Sequence, residues 1–130
     1  MASDFLADFD RAGLRQVILS ASRVEDLERQ VTERGIRGCF DRLLGLGDIY
    51  AKSKVEVGRR FFRESGFDPG RAVMIGDSVH DFEVARAMGV RCVLQCAGHQ
   101  TEAALRATGA PVVPGLPEAA DFILREAHHE

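Results

Sequence analysis

Two closely spaced aspartates carry the strongest chemical signal in this sequence. Asp77 and Asp81 lie in the segment GDSVHD at residues 76–81, directly after the apolar run Ala72 to Ile75. Two carboxylates this near each other repel unless a cation or a proton intervenes, and Mg²⁺ prefers oxygen ligands while it keeps several waters. Acidic residues are also favoured at helix N-termini. The pair therefore fits either magnesium ligands or helix caps.

Two further positions have side chains that could bind an anion. Ser20 follows the apolar run Gln16 to Leu19 and precedes a predicted helix, so its hydroxyl and the first helical N–H groups could cradle a phosphate or carboxylate. An ordinary turn serine is the alternative interpretation. Lys52 and Lys54 flank Ser53 at the start of another predicted helix. A lysine there opposes the helix dipole, so it either reaches an anion or is a solvated surface side chain.

These positions depend on a repeated pattern in which short apolar runs alternate with amphipathic helices that stop at glycine. The pattern predicts five strands, at Gln16 to Leu19, Leu43 to Leu46, Ala72 to Ile75, Arg91 to Ala97 and Pro111 to Val113. It also predicts five helices: Ser3 to Ala12, Arg23 to about Arg34, one that begins at Ser53 and ends before Gly66, one that begins after Ser78 and ends at Gly89, and Pro117 to about Ala127. Apolar strands alternating with helices predict an α/β fold, with three α/β/α layers around a mainly parallel, Rossmann-like sheet.

Local signals predict where two of the helices begin. Ser22 and Glu25 have the spacing of a capping box, and so do Ser53 and Glu56. In the first of these helices Val24, Leu27 and Val31 share one face, which we expect to be buried.

Composition indicates one globular domain over residues 1–130. The formal net charge is −3, with 45% hydrophobic and 28% charged residues, and no basic run marks a nucleic-acid or membrane surface. No apolar stretch is long enough to span a bilayer. The three cysteines, Cys39, Cys92 and Cys96, form no CxxC motif, so we expect reduced, buried and inert thiols in a cytosolic protein.

Taken together, the strand ending in Ser20, the lysine at a helix start and the GDxxxD segment resemble three of the four signatures of the haloacid dehalogenase superfamily. The resemblance is to its phosphoglycolate-phosphatase-like hydrolases and covers about residues 9–124. It implies Mg²⁺-dependent hydrolysis of a small phosphorylated metabolite through an aspartyl-phosphate. Ser20 would bind phosphate, Lys54 would bridge the nucleophile and the phosphate, Asp77 would ligate Mg²⁺, and Asp81 would ligate it or orient its water. Lys54 is preferred over Lys52 because it lies within the predicted cap that begins at Ser53.

The family's first signature, DxDx[TV], supplies the nucleophile and is not found in this sequence. Residues 8–10 read DFD, but Arg11 and Ala12 follow and no apolar strand precedes them. The resemblance thus implies a core sheet incomplete at its first strand, without the nucleophile strand or the cap. This chain alone would be inactive, and the alternative function is a non-catalytic phosphate- and magnesium-binding module or partner subunit.

A missing strand would also affect assembly. In the family it lies between the strands that end at Ser20 and Asp77. Either those strands close against each other, or their exposed edges pair with another chain. We expect a homo-oligomer or a complementing N-terminal segment.

Overall fold

The computed structural model describes residues 9, 11–20, 22–45, 53–96, 98 and 100–128, with side chains described up to residue 125. The chain divides into two compact units, Met1–Ser65 and Gly66–Glu130. The prediction of a single domain over residues 1–130 stays a prediction.

The first unit contains a parallel pair of strands. Its elements are β1 (Val17–Leu19), α1 (Val24–Glu33), a 3₁₀ turn (Arg37–Cys39), β2 (Arg42–Leu44) and α2 (Lys54–Ser65). Ile18 lies opposite Leu43 in the β1–β2 ladder. Leu27 and Val31 are four residues apart on one face of α1, and both are buried with Leu43. This small core holds β1, and with it Ser20, in a fixed position.

The second unit is built on a three-stranded parallel sheet. Its elements are a 3₁₀ turn (Pro69–Arg71), β3 (Val73–Gly76), α3 (Val79–Met88), β4 (Arg91–Gln95), α4 (Glu102–Arg106), β5 (Val112–Val113) and α5 (Leu116–His128). β4 is central in the order β3-β4-β5, and Leu94 and Val93 on it are almost fully buried. Gly76, the last residue of β3, lies opposite Leu94, so β3 ends one residue before β4 and the segments that follow the two strands start close together.

The predicted fold class is confirmed, because every strand pair among the described residues is parallel and helices alternate with the strands. The helices also stop where expected: Gly35, Gly66 and Gly89 follow α1, α2 and α3 with φ of 72°, 77° and 77°. Of the predicted N-terminal helix, Phe9 and Arg11 are helical and the other positions except Ala12 lie outside the described residues.

One element was not predicted, and two expectations need correction. The short helix α4 was not predicted, because five residues are too few to show a helical period. Val24 was expected on the buried face of α1 but is 38% exposed, since it is the first residue of that helix. The three cysteines are free, as expected, but only Cys92 is buried.

Candidate functional site

Ser20 follows β1 and is half-buried. Its N–H donates to the Leu44 carbonyl at 2.9 Å, which extends the parallel ladder by one bond. Its Oγ accepts the N–H of Ser22 at 3.1 Å, a bond across two residues that closes a tight turn. Among the described residues nothing accepts the Ser20 O–H itself. The hydroxyl therefore supports the turn as an acceptor and can donate to an anion.

The predicted capping box at Ser22 and Glu25 is wrong. α1 begins at Val24, and its N-cap is Arg23, which offers no side-chain hydrogen bond to the helix. Ser22 lies one residue too early because its N–H is drawn into the turn with Ser20. Glu25 also puts negative charge in the first turn, which suits the helix dipole but disfavours an anion there. The anion-binding capacity of this end of β1 thus depends mainly on the Ser20 hydroxyl.

Lys54 is the first residue of α2, a helix that packs against β1 in the same unit. The cap predicted in front of it is present, because Ser53 Oγ accepts the N–H of Glu56 at 3.2 Å. Lys54 is half-buried and makes further interactions within the chain. The alternative residue, Lys52, lies outside the described residues. The helix start that carries Lys54 is therefore fixed by a hydrogen-bonded cap.

The turn from β3 to α3 holds the two aspartates in a defined arrangement. Ser78 is the N-cap of α3, and its Oγ accepts the N–H of Asp81 at 3.1 Å. Asp81 Oδ2 in turn accepts the N–H of Asp77 at 3.0 Å. The cap and the acidic pair are therefore one hydrogen-bonded unit. The cap of α3 is thus Ser78, whereas the Asp81 carboxylate accepts the N–H of Asp77, which lies before the helix, and the Asp77 carboxylate accepts no hydrogen bond from the described residues.

Gly76 makes this arrangement sterically feasible. A Cβ added at Gly76 would lie 2.9 Å from both Cγ and Oδ2 of Asp81, closer than real Cβ contacts come. A glycine is therefore required at the last position of β3 for the Asp81 carboxylate to fold back over it. The glycine of the GDxxxD segment thus has a direct steric explanation.

The Asp77 carboxylate has the properties expected of a cation ligand. Asp77 is exposed, and none of the described residues donates a hydrogen bond to its side chain. Its oxygens can approach a hard cation, while Asp81 is held beside it. The described residues contain no cluster of three or more His, Cys, Asp or Glu side chains suited to a metal. The two carboxylates fit Mg²⁺, which commonly takes one or two carboxylates together with waters and substrate phosphate oxygens.

The segment after β4 contributes residues that the sequence did not single out. Gln100 Oε1 accepts the N–H of Val79, the first residue of α3. Gly98 lies so close to Asp77 that a Cβ added to it would be 2.7 Å from Asp77 Oδ2. His99, which the sequence places in the same segment, lies outside the described residues. The signal that could have identified Gln100 is its position in the chain, because polar residues that follow adjacent parallel strands lie at the same edge of the sheet.

The negative charge of Asp81 also affects Cys92, the second residue of β4. Burial raises the pKa of the Cys92 thiol on β4 to about 11, and the charge of Asp81 adds to the effect. Cys92 therefore stays a neutral thiol near neutral pH and is not a nucleophile.

Comparisons with known proteins identify relatives of this chain. A family model of haloacid dehalogenase-like hydrolases matches residues 2–95. Protein CbbY of Cereibacter sphaeroides is 31% identical over 97 residues, which cover 71% of this chain. A predicted phosphatase from Clostridium acetobutylicum has the same fold, with a TM-score of 0.85, 20% identity and 93% of this chain covered. A mutant of CbbY from Rhodobacter sphaeroides in complex with xylulose-1,5-bisphosphate gives a TM-score of 0.71, 28% identity and 85% coverage.

This chain corresponds to only part of each relative. It covers 42% of the Cereibacter protein, 57% of the Clostridium chain and 51% of the Rhodobacter chain. No helix among the described residues is long and apolar enough to cross a membrane.

Proposed function

Since the chain belongs to the haloacid dehalogenase-like hydrolase family, we propose that it supplies the phosphate- and magnesium-binding residues for hydrolysis of a small phosphorylated metabolite. Ser20 and Lys54 are assigned to phosphate, with Lys54 also the catalytic cation, and Asp77 and Asp81 to Mg²⁺. The observation that carries the proposal is the β3–α3 turn, where Asp81 is fixed by a backbone N–H and the Asp77 carboxylate is left exposed.

The metal assignment is supported by the hydrogen bonds around the two aspartates. Ser78 accepts the backbone N–H of Asp81, and the N–H of Asp77 donates to its carboxylate, so the Asp81 carboxylate is held next to Asp77. A bound Mg²⁺ would offset the negative charge of the two carboxylates and would polarise a phosphoryl oxygen. Asp77 would bind the ion directly, and Asp81 would bind it or orient one of its waters.

The phosphate assignment is supported by the local geometry of the first unit. The Ser20 O–H can donate to a phosphoryl oxygen while Ser22 keeps its oxygen in place. Lys54 starts a helix, where its charge does not stabilise the helix dipole. Its ammonium is instead suited to offset negative charge that develops on a transferring phosphoryl group.

The class of substrate is proposed from the relatives. CbbY was solved with xylulose-1,5-bisphosphate, a phosphorylated sugar. We infer a phosphate monoester of similar size for this chain.

Turnover by this chain alone is not expected. Its 130 residues contain no DxDx[TV] sequence to supply the nucleophile and general acid. This absence favours the second candidate function, a phosphate- and magnesium-binding module that requires a partner segment or acts without catalysis.

Partner binding is proposed from the sheet edges. Among the described strands only β2 pairs with β1 and only β4 pairs with β3. Each free edge belongs to a strand that leads into a proposed site residue, and such an edge is a template for another strand. A complementing segment or a second copy of the chain could form hydrogen bonds with the backbone groups of such an edge. The free thiols support a cytosolic location.

The test is a comparison of wild-type protein with Asp77→Asn, by Mg²⁺ titration and by Mg²⁺-dependent hydrolysis of an aryl phosphate. We expect Asp77→Asn to weaken Mg²⁺ binding by about tenfold or more, because a carboxylate ligand is lost. Glu83→Gln is the matched control, since Glu83 is exposed on α3, the helix that follows Asp77, and its substitution removes the same charge.

The outcomes separate the two candidate functions. Turnover in the wild type that Asp77→Asn abolishes and Glu83→Gln retains supports the hydrolase. Mg²⁺ or phosphate binding without turnover supports the binding module. A wild-type chain that binds neither contradicts the proposal.

A further inference from the structure

The segment after β4 contacts the β3–α3 turn at two points, one through a side chain and one through the backbone. We propose that Gln100, together with Gly98, positions the Asp77–Asp81 pair for metal binding. Gln100 is thus a positioning residue for the site and not itself a ligand. This inference rests on the proposed magnesium-binding function.

The side-chain contact is the hydrogen bond from the Val79 N–H to Gln100 Oε1. Val79 opens α3, and the first N–H groups of a helix have no partner within it. Ser78 Oγ accepts from Asp81, two positions further on, and the Asp81 carboxylate accepts from Asp77 outside the helix. The acceptor of the Val79 N–H thus comes from outside the turn, from Gln100 in the segment that connects β4 to α4. The bond ties the start of α3 to the segment after β4.

The backbone contact fixes one side of the Asp77 carboxylate. A Cβ added at Gly98 would lie 2.7 Å from Oδ2, 2.8 Å from Cγ and 2.9 Å from Cβ of Asp77. Any larger residue at position 98 would have to displace the whole Asp77 side chain. With glycine present, the backbone of the segment packs against the carboxylate and limits its rotation.

The sheet explains why the two contacts occur together. Gly76 on β3 is paired with Leu94 on β4, so Asp77, which follows β3, is level with Gln95, the last residue of β4. Gly98 and Gln100, which lie between Gln95 and the start of α4 at Glu102, are therefore close enough to reach the β3–α3 turn. Thr101, the residue after Gln100, accepts the N–H of Ala104 at 3.2 Å, so its side chain caps α4 and not α3.

The consequence concerns metal affinity. Mg²⁺ requires ligands held in nearly ideal positions. The Asp77 carboxylate lacks hydrogen-bond donors among the described residues, so its orientation depends on packing. Gln100 and Gly98 supply that packing from the neighbouring connection. Residues that orient metal ligands in this way affect affinity by about 10- to 100-fold.

The test is an NMR titration with Mg²⁺, in which the Val79 amide reports the hydrogen bond and shifts around Asp77 report the Kd. Gln100→Met removes the acceptor at similar length, and we expect a shifted, faster-exchanging Val79 amide and a Kd raised about tenfold. Gln100→Glu keeps an acceptor oxygen and adds a negative charge, so the Val79 amide should be retained and the affinity should not fall. Gly98→Ala should raise the Kd without removing the Val79 bond.

Thr101→Ala is the matched control, because it removes a capping bond from the same segment without touching α3. Its Kd should equal that of the wild type. The role is overturned if Gln100→Met leaves the Val79 amide or the Kd unchanged, or if Thr101→Ala weakens Mg²⁺ equally. A wild-type chain that does not bind Mg²⁺ at all overturns the proposed metal site as well, so the two failures are distinguishable.

Discussion

Gly76→Ala is a direct probe of the arrangement around the aspartates. The new methyl group would overlap Cβ of Asp81 and lie 2.9 Å from its Cγ and Oδ2, so the first turn of α3 that carries Asp81 must shift away from β3. When Asp81 shifts, the hydrogen bond from the Asp77 N–H to Oδ2 is lost. The substitution is therefore expected to lower the free energy of unfolding and to weaken Mg²⁺ binding together.

The magnitude follows from three contributions. Forcing a methyl group into a packed position costs about 1–3 kcal/mol. Loss of the partly solvated hydrogen bond costs about 1 kcal/mol. Replacing a glycine restricts the unfolded chain and offsets about 0.4–1 kcal/mol. The net destabilisation is about 2 kcal/mol, which lowers the urea midpoint by about 1 M for a slope near 2 kcal/mol/M.

The assay is urea unfolding of Gly76→Ala beside Gly38→Ala. At Gly38 an added Cβ meets nothing within 4 Å, and the φ angle is not in the left-handed region, so the same substitution should leave the midpoint unchanged or slightly raised. If the two variants unfold at the same midpoint, Asp81 does not pack over Gly76 and the steric explanation of the glycine is wrong.

Two further predictions concern the thiols and the sheet edges. Because its pKa is raised to about 11, about one thousandth of the Cys92 thiol is ionised near pH 8. Iodoacetamide should therefore label Cys39 and Cys96 first, as measured by peptide mass spectrometry. Labelling of Cys92 should accelerate only as the pH approaches its pKa of about 11. Equal labelling rates in the native protein would contradict this. The edges of β1 and β3 that pair with no other described strand predict self-association, which light scattering over a wide range of protein concentration should detect. A monodisperse monomer throughout would contradict this prediction.

The sequence was sufficient to predict the parallel α/β class and most element boundaries. These features are local: apolar runs, a cap such as Ser53 and glycine stops act within a few residues of their own position. The position of Asp77 directly after an apolar strand was predictable for the same reason. The capping box at Ser22 failed because a second local bond, from its N–H to Ser20, competed for the same residues.

The tertiary structure alone decided how the turn around Asp77 is built. Gln100 and Gly98 lie more than twenty positions from Asp77 along the chain, and their contacts exist because β3 and β4 pair with Gly76 opposite Leu94. No local sequence pattern predicts that register, because it depends on how β4 pairs with both β3 and β5. The sequence therefore determined which residues could bind a cation and an anion, whereas strand pairing determined which neighbours hold the aspartates in place.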